Sequence, residues 1–306
     1  NGATFSGSGV YFDSATFSGG TVSFNGATFS GSGVYFDSAT FSGGTVSFNG
    51  ATFSGGTVSF NGATFSDGEV SFKSAAFSRR SEVSFNGATF SGSSKVYFND
   101  PTAGGILLSD FHGATFSRSN VYFVSADFSG GTVSFNGATF SDSNVYFVSA
   151  DFSGGTVSFN GSEVYLENES ATFSGSKVSF NGATFSGSAV SFKSATFSDS
   201  TVSLDGATFS GSAVSFKSAT FSDSTVSLES ATFSSGEVSF KSATFSTAGA
   251  LSFRHATFSG GTVDLSRSWF VPPTNLPVPA PPGLLLPQTG AASSGGSSQG
   301  QDSESP

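Results

Sequence analysis

The sequence predicts an all-β chain wound as a β-solenoid, and three observations carry that prediction. A twelve-residue unit, Asn-Gly-Ala-Thr-Phe-Ser-Gly-Gly-Thr-Val-Ser-Phe in Asn49–Phe60, recurs in near-copies through most of the chain. Phe returns at alternating steps of five and seven residues. Each unit holds two triplets, Ala-Thr-Phe and Val-Ser-Phe, in which two apolar residues flank a small hydroxyl residue. That is the alternation of a strand with one face buried, with Ala, Val and Phe inward and Thr and Ser outward.

The links between triplets are turns. Asn-Gly is the short one, and its residue types tolerate positive φ. Ser-Gly-Gly-Thr is the longer one. It gains a residue at Ser78-Arg79-Arg80-Ser81-Glu82 and at Ser91-Gly92-Ser93-Ser94-Lys95, whereas the Asn-Gly link keeps its length in nearly every unit. The short link therefore reads as a fixed corner and the longer one as a tolerant loop. A hairpin meander would use the same Asn-Gly signal, but three-residue strands make a poor meander. Stacked coils instead place Phe over Phe and Ser over Ser, and bond each backbone to the coil above and below.

Composition fits a chain whose core builder is Phe. The 306 residues include 39 Phe and 40 Gly, with no Cys and no Met, and the formal net charge is −10. A Phe-, Gly- and Ser-rich chain of low charge can be disordered, but disorder does not need the strict Phe spacing seen here. Without Cys there are no disulfides or thiolate metal ligands. No run of about 18 apolar residues predicts a membrane span, no secretory leader is recognisable, and the chain reads as cytoplasmic. It opens at Asn1 in mid-repeat without Met, which suggests further sequence before it.

Phe-Asn-Gly-Ala-Thr-Phe-Ser-Gly resembles the pentapeptide-repeat proteins, whose five-residue units place a small residue two before a central Leu or Phe. The end of the repeats, Phe258-Ser-Gly-Gly-Thr-Val-Asp-Leu265 followed by Trp269 and a Pro-rich tail, resembles actinobacterial members of that group. The likeness spans about residues 1–270 and differs from the family in that every second step is seven. It implies a right-handed, four-sided β-helix. Known members of the family include inhibitors of DNA gyrase that mimic DNA, while most have no assigned activity.

Two coil lengths are compatible with the repeat, one unit or two. Four sides need two units, and a two-unit super-period is visible where Gly-Val-Tyr-Phe alternates with Thr-Val-Ser-Phe over residues 1–48. The corner series Asn181, Lys193, Asp205, Lys217, Glu229, Lys241 argues for one unit, because a twelve-residue coil would stack opposite charges. In water a like pair one strand spacing apart costs only about 0.9 kcal/mol. The reading adopted is two twelve-residue units per coil, giving a rod roughly 50 Å long.

Two stretches break the pattern: Asn99 to Phe111, and Asn160 to Ser170 with Glu163, Glu167 and Glu169. They read as decayed repeats or as loops offering a contact. Residues 1–270 form the predicted solenoid and residues 271–306 a disordered tail, Pro-rich and then Ser/Gly-rich. Trp269 and Phe270 are expected to cover the last coil, because an open solenoid end exposes core and strand edges. Leu286-Pro-Gln-Thr-Gly290 matches a sortase anchoring signature, but a polar, slightly acidic tail follows it and the match reads as chance.

No constellation for chemistry emerges. The two histidines, His112 and His255, each sit at a short corner, far apart, and a zinc site needs three or four ligands. Ser is abundant as repeat grammar, without a base and an orienting group beside it. No catalytic, cofactor-binding or metal residue is named, and the chain is read as no enzyme. The expected function is a structural or protein-interaction scaffold with an unknown protein partner, and with end-to-end self-association as a further mode. An acidic DNA mimic acting on gyrase or another DNA-binding protein is the alternative. Duplex DNA carries a charge per about 1.7 Å, so matching a rod of about 50 Å would take about 30 charges, against a net −10. Direct nucleic-acid binding has the wrong sign. A second alternative is an ice-binding Thr ladder.

Overall fold

The computed structural model describes residues 1–78, 81–99, 108–128, 130–161, 166–167, 170–186, 189–246, 250–268 and 279–286. Its regular structure there is entirely β, in short parallel strands stacked as a four-sided solenoid. Register fixes the coil. Thr4, Phe5 and Ser6 pair with Thr28, Phe29 and Ser30, and Thr16, Phe17 and Ser18 with Thr40, Phe41 and Ser42. One coil is thus two repeat units, as the super-period predicts.

Face 1 begins with Thr4–Ser6, face 2 with Val10–Tyr11, face 3 with Thr16–Ser18 and face 4 with Thr21–Ser23. Faces 2 and 4 are continuous sheets of 11 and 12 strands. Faces 1 and 3 are each divided, into sheets of 4 and 5 strands and of 6 and 4 strands. At one strand spacing per coil the rod is about 50 Å long.

Paired strands are offset by one residue from the predicted triplets. The bonded segments are Thr-Phe-Ser and Thr-Val-Ser, while the triplet Ala lies at a corner, buried in all but the end coils. There the Ala27 N–H donates to the Phe24 carbonyl at 3.0 Å, closing a four-residue turn. Only the second corner residue has positive φ. Gly26 sits at 64°, and in other coils Ser takes the same conformation, as at Ser218 with φ 59°. An L-residue pays roughly 1–2 kcal/mol for that region, partly offset by the greater unfolded-state freedom of Gly. Ser218→Gly is therefore expected to stabilise the coil by about 0.5 kcal/mol, and the Ser194→Gly, Ser218→Gly double variant by about twice that, read as a rise in melting temperature.

The longer links behave as tolerant loops. Thr57 pairs with Glu82, and Glu69 with Lys95, so the extra residues are absorbed without loss of register. In other links a buried serine satisfies the backbone. Ser200 Oγ donates to the Ser198 carbonyl at 2.8 Å and accepts from the Ser176 N–H at 3.1 Å.

The core is four columns of rings. Phe29 stacks on Phe53 at 5.0 Å and 6°, Phe36 on Phe60 at 4.9 Å and 3°, Phe41 on Phe65 at 4.8 Å and 4°, and Phe48 on Phe72 at 4.9 Å and 3°. Columns meet edge to face at corners, as Phe36 and Phe41 do at 5.7 Å and 61°, an arrangement the ring quadrupole favours. Leu204 and Leu228 replace Phe in the face 2 column and are also fully buried.

Both breaks leave the stacking of faces 2 and 4 intact. Leu108, Ser109 and Asp110 pair with Glu82, Val83 and Ser84 below and with Thr132, Val133 and Ser134 above. Leu166 and Glu167 pair with Val145 and Tyr146, across a shortened coil. The first interruption falls on face 1 and the second on face 3, with residues 100–107, 162–165 and 168–169 outside the described residues.

At the C-terminal end the structure departs from the expected tail. Leu284 and Leu285 form a strand paired with Val263 and Asp264, and Leu284 is buried. An apolar pair within the Pro-rich segment thus covers an edge of the last coil. Trp269 and Phe270, the expected cap, lie outside the described residues, as do Arg79, Arg80 and residues 287–306. No helix among the described residues is long and apolar enough to cross a membrane.

Candidate functional site: a tyrosine–asparagine strip on face 4

With two repeat units per coil, each outward position becomes a column along the rod. On face 4 one column reads Ser23, Ser47, Ser71, Tyr97, Tyr122, Tyr146, Glu167, Ser191, Ser215, Ser239 and Asp264. The three tyrosines are its only aromatic residues. Tyr97 and Tyr122 stack at 4.8 Å and 13°, and Tyr122 and Tyr146 at 4.8 Å and 3°. All three are half-buried.

The neighbouring column locks them. Asn120 Nδ2 donates to Tyr122 Oη at 3.2 Å, and Asn144 Nδ2 to Tyr146 Oη at 3.1 Å. The Asn144 N–H donates to Asn120 Oδ1 at 2.9 Å, tying the two rungs together. Lys73 Nζ lies 3.9 Å from the centroid of the Tyr97 ring, a cation–π contact at the N-terminal end of the strip. Burial, then the Glu69 carboxylate and Tyr122, push the Tyr97 phenol above its ordinary range. The phenol therefore stays neutral, and the strip presents hydroxyl and carboxamide groups on a prefixed aromatic wall.

A second, shorter stack lies on the opposite side. Tyr11 and Tyr35 on face 2 stack at 4.9 Å and 10°, and Tyr11 is 67% exposed. Tyr35 lies against Gly33, where a Cβ would come within 2.3 Å of the phenol oxygen. Gly and Tyr at these positions are thus a matched pair.

Charge divides between the edges. Lys73, Lys193, Lys217 and Lys241 occupy the edge between faces 4 and 1, while Asp13, Asp37, Asp205 and Glu229 occupy the diagonally opposite edge between faces 2 and 3. The like-charge stacking weighed from the sequence is therefore present. On the acidic edge the side chains also bond the next coil. Asn181 Oδ1 accepts the Asp205 N–H at 3.2 Å, and Asp205 Oδ1 the Glu229 N–H at 3.0 Å.

Asp127 and Asp151 pair as an isolated bridge on face 1. His112 and His255 are exposed at corners of the acidic edge, in coils far apart, with Arg254 Nε donating to His255 Nε2 at 3.1 Å. No group of three or more His, Cys, Asp or Glu side chains converges among the described residues. On face 3, Thr16, Thr40, Thr64, Thr89, Thr115 and Thr139 stand in unbroken register, one threonine column wide.

The Val-Tyr-Phe triplets are plain in the sequence, yet the strip they form is not. Once a two-unit coil is chosen, the spacing of Tyr97, Tyr122 and Tyr146 puts all three on one face.

The family model described as pentapeptide repeats matches in nine copies, at residues 1–45, 24–76 and 169–214. No curated protein matches the sequence. Among solved structures, the chain is similar to HetL, a pentapeptide repeat protein involved in heterocyst differentiation regulation in the cyanobacterium Nostoc sp. The identity is 13% over 86% of this chain and 88% of that one, with a TM-score of 0.23. It is also similar to full-length QnrB1, a plasmid-mediated fluoroquinolone resistance protein, at 17% identity over 70% of this chain and 94% of that one, with a TM-score of 0.21. A PL6 alginate lyase matches at 9% identity over 88% and 80%, with a TM-score of 0.31.

Proposed function

We propose that this pentapeptide-repeat protein is a non-catalytic interaction scaffold, a rigid solenoid that presents the Tyr97–Tyr122–Tyr146 strip of face 4 to a protein partner. One observation carries the reading: the strip is dispensable to the fold. The same column carries Ser in most other coils, with pairing and core unchanged. Aromatic residues of low conformational freedom are what protein interfaces concentrate. Here the rings are already immobilised by stacking and by the Asn120 and Asn144 carboxamides, so little side-chain entropy remains to be lost on binding.

The test replaces the three tyrosines with the residue this column carries elsewhere. Tyr97→Ser, Tyr122→Ser, Tyr146→Ser should keep the β circular dichroism spectrum and lower stability by the stacking energy, about 0.5–1.5 kcal/mol per ring pair, together with the lost burial of the half-exposed rings. Partners captured by in-cell crosslinking to the wild-type chain should be lost from the variant. Identical capture by both proteins would assign the stack to stability alone.

The DNA-mimic alternative has less support. Among the described residues the acidic groups are scattered over faces 1, 2 and 4, the edge between faces 2 and 3, and several turns, with lysines on the edge between faces 4 and 1. No face carries the continuous acidic column a duplex would demand. A gyrase supercoiling assay is expected to show no inhibition.

A further inference from the structure

We propose that Asn86–Gly87 is a site of spontaneous deamidation, singled out by a gap in the hydrogen-bond ladder that guards the other Asn-Gly corners. Besides the N-terminal Asn1, seven such corners lie within the chain, at Asn25, Asn49, Asn61, Asn86, Asn136, Asn160 and Asn181. Asparagine before glycine is chemically labile, because the unbranched glycine lets its amide nitrogen reach the asparagine side chain. The Gly87 nitrogen gives up its proton and attacks Asn86 Cγ. The new C–N bond closes a succinimide, the Cγ–Nδ2 bond breaks, and ammonia leaves carrying the proton. Water then opens the ring to aspartate or isoaspartate, with no redox change.

In six of the seven corners the next coil holds the carboxamide. Asn49 Oδ1 accepts Ser71 Oγ at 2.6 Å and the Lys73 N–H at 3.1 Å. Asn61 Oδ1 accepts Ser84 Oγ at 2.6 Å and the Asn86 N–H at 3.0 Å. The same pair of donors, a serine hydroxyl and a corner N–H, serves Asn25, Asn136, Asn160 and Asn181. Rotating Cγ into the path of the glycine nitrogen breaks both bonds.

Asn86 has neither. Asp110 stands where the serine should be and offers no proton when ionised. Its Oδ1 accepts the His112 N–H at 3.0 Å, taking the second donor as well. Asn86 is exposed. The glycine amides do not separate the sites, since Gly62 and Gly87 donate equally, to the Asn86 and His112 carbonyls, each at 2.8 Å. The difference lies in the side chain alone.

The experiment is peptide mapping by mass spectrometry of the full chain aged at mildly alkaline pH, with isoaspartate scored separately. The denatured chain sets the intrinsic rate of each site. Relative to that baseline, Asn86 should convert roughly five- to thirtyfold faster than the other six, the factor that one or two ordinary hydrogen bonds are worth. Asp110→Ser supplies the missing hydroxyl and frees the His112 N–H, and should bring Asn86 down to the rate of its counterparts. Equal normalised rates at all seven sites would overturn the proposal, as would an Asn86 rate unmoved by Asp110→Ser. Aspartate and isoaspartate accumulating at Asn86 in the expected excess, and suppressed in the variant, would support it.

Discussion

Phe140→Asp is expected to melt the middle of the rod. Phe140 is 1% exposed and stacks on Phe116 at 4.8 Å and 3°, with Phe135 tilted against it at 5.8 Å and 50°. Truncating a buried Phe costs about 3–5 kcal/mol through lost contacts and the cavity left behind. A carboxylate placed there adds its own desolvation, several kcal/mol unless it takes up a proton. In a solenoid each coil contacts only its neighbours, so the damage is local rather than all-or-none. Circular dichroism should show reduced β signal, and hydrogen exchange should show opened coils around residues 115–147 with the ends still protected. Phe140→Leu is the control, since Leu204 and Leu228 show that the ring core accepts leucine in the face 2 column, and it should cost much less. Unchanged melting of Phe140→Asp would refute the inward assignment of this column.

The second large effect runs the other way. Ser109 occupies the inward position that Val83 and Val133 hold in the coils on either side, and all three are fully buried. Its hydroxyl has no hydrogen-bond partner. An unpaired buried hydroxyl costs about 1–3 kcal/mol, and each added buried methyl contributes about 0.8 kcal/mol. Ser109→Val should therefore stabilise the chain by about 2 kcal/mol, with slower exchange in the coils around residues 83–133. Ser109→Ala should recover only the part due to the hydroxyl. A loss of stability in both variants would mean that the site cannot take valine's shape and that the hydroxyl is bonded.

Much of this architecture is legible because it repeats. Ala, Val and Phe at fixed offsets name the inward residues, and the unequal variability of the two links separates corner from loop. Coil length is harder to read. One unit or two per coil would bury the same side chains, and the mixed corner series from Asn181 to Lys241 points the wrong way because like-charge repulsion at the surface is weak. The outward columns depend on that choice, so the tyrosine strip stays hidden until register is known. Ser109 sits beside the Leu107–Leu108 pair, whose apolar character masks the loss of the inward valine. The strand Leu284–Leu285 follows a proline-rich stretch with no repeat signal, and only its pairing with Val263 and Asp264 reveals it.

The fixed two-unit coil has a genetic corollary. Recombination between near-identical units changes the gene in whole units, and the two kinds of event differ sharply. Gain or loss of a full coil slides everything downstream along the axis and leaves each column facing its original direction. Gain or loss of a single twelve-residue unit turns everything downstream by half a revolution, exchanging face 1 with face 3 and face 2 with face 4. The core accepts both events equally, because opposite faces present the same inward residues. A partner that reads one side of the rod would register the first as a change of height and the second as the disappearance of its surface.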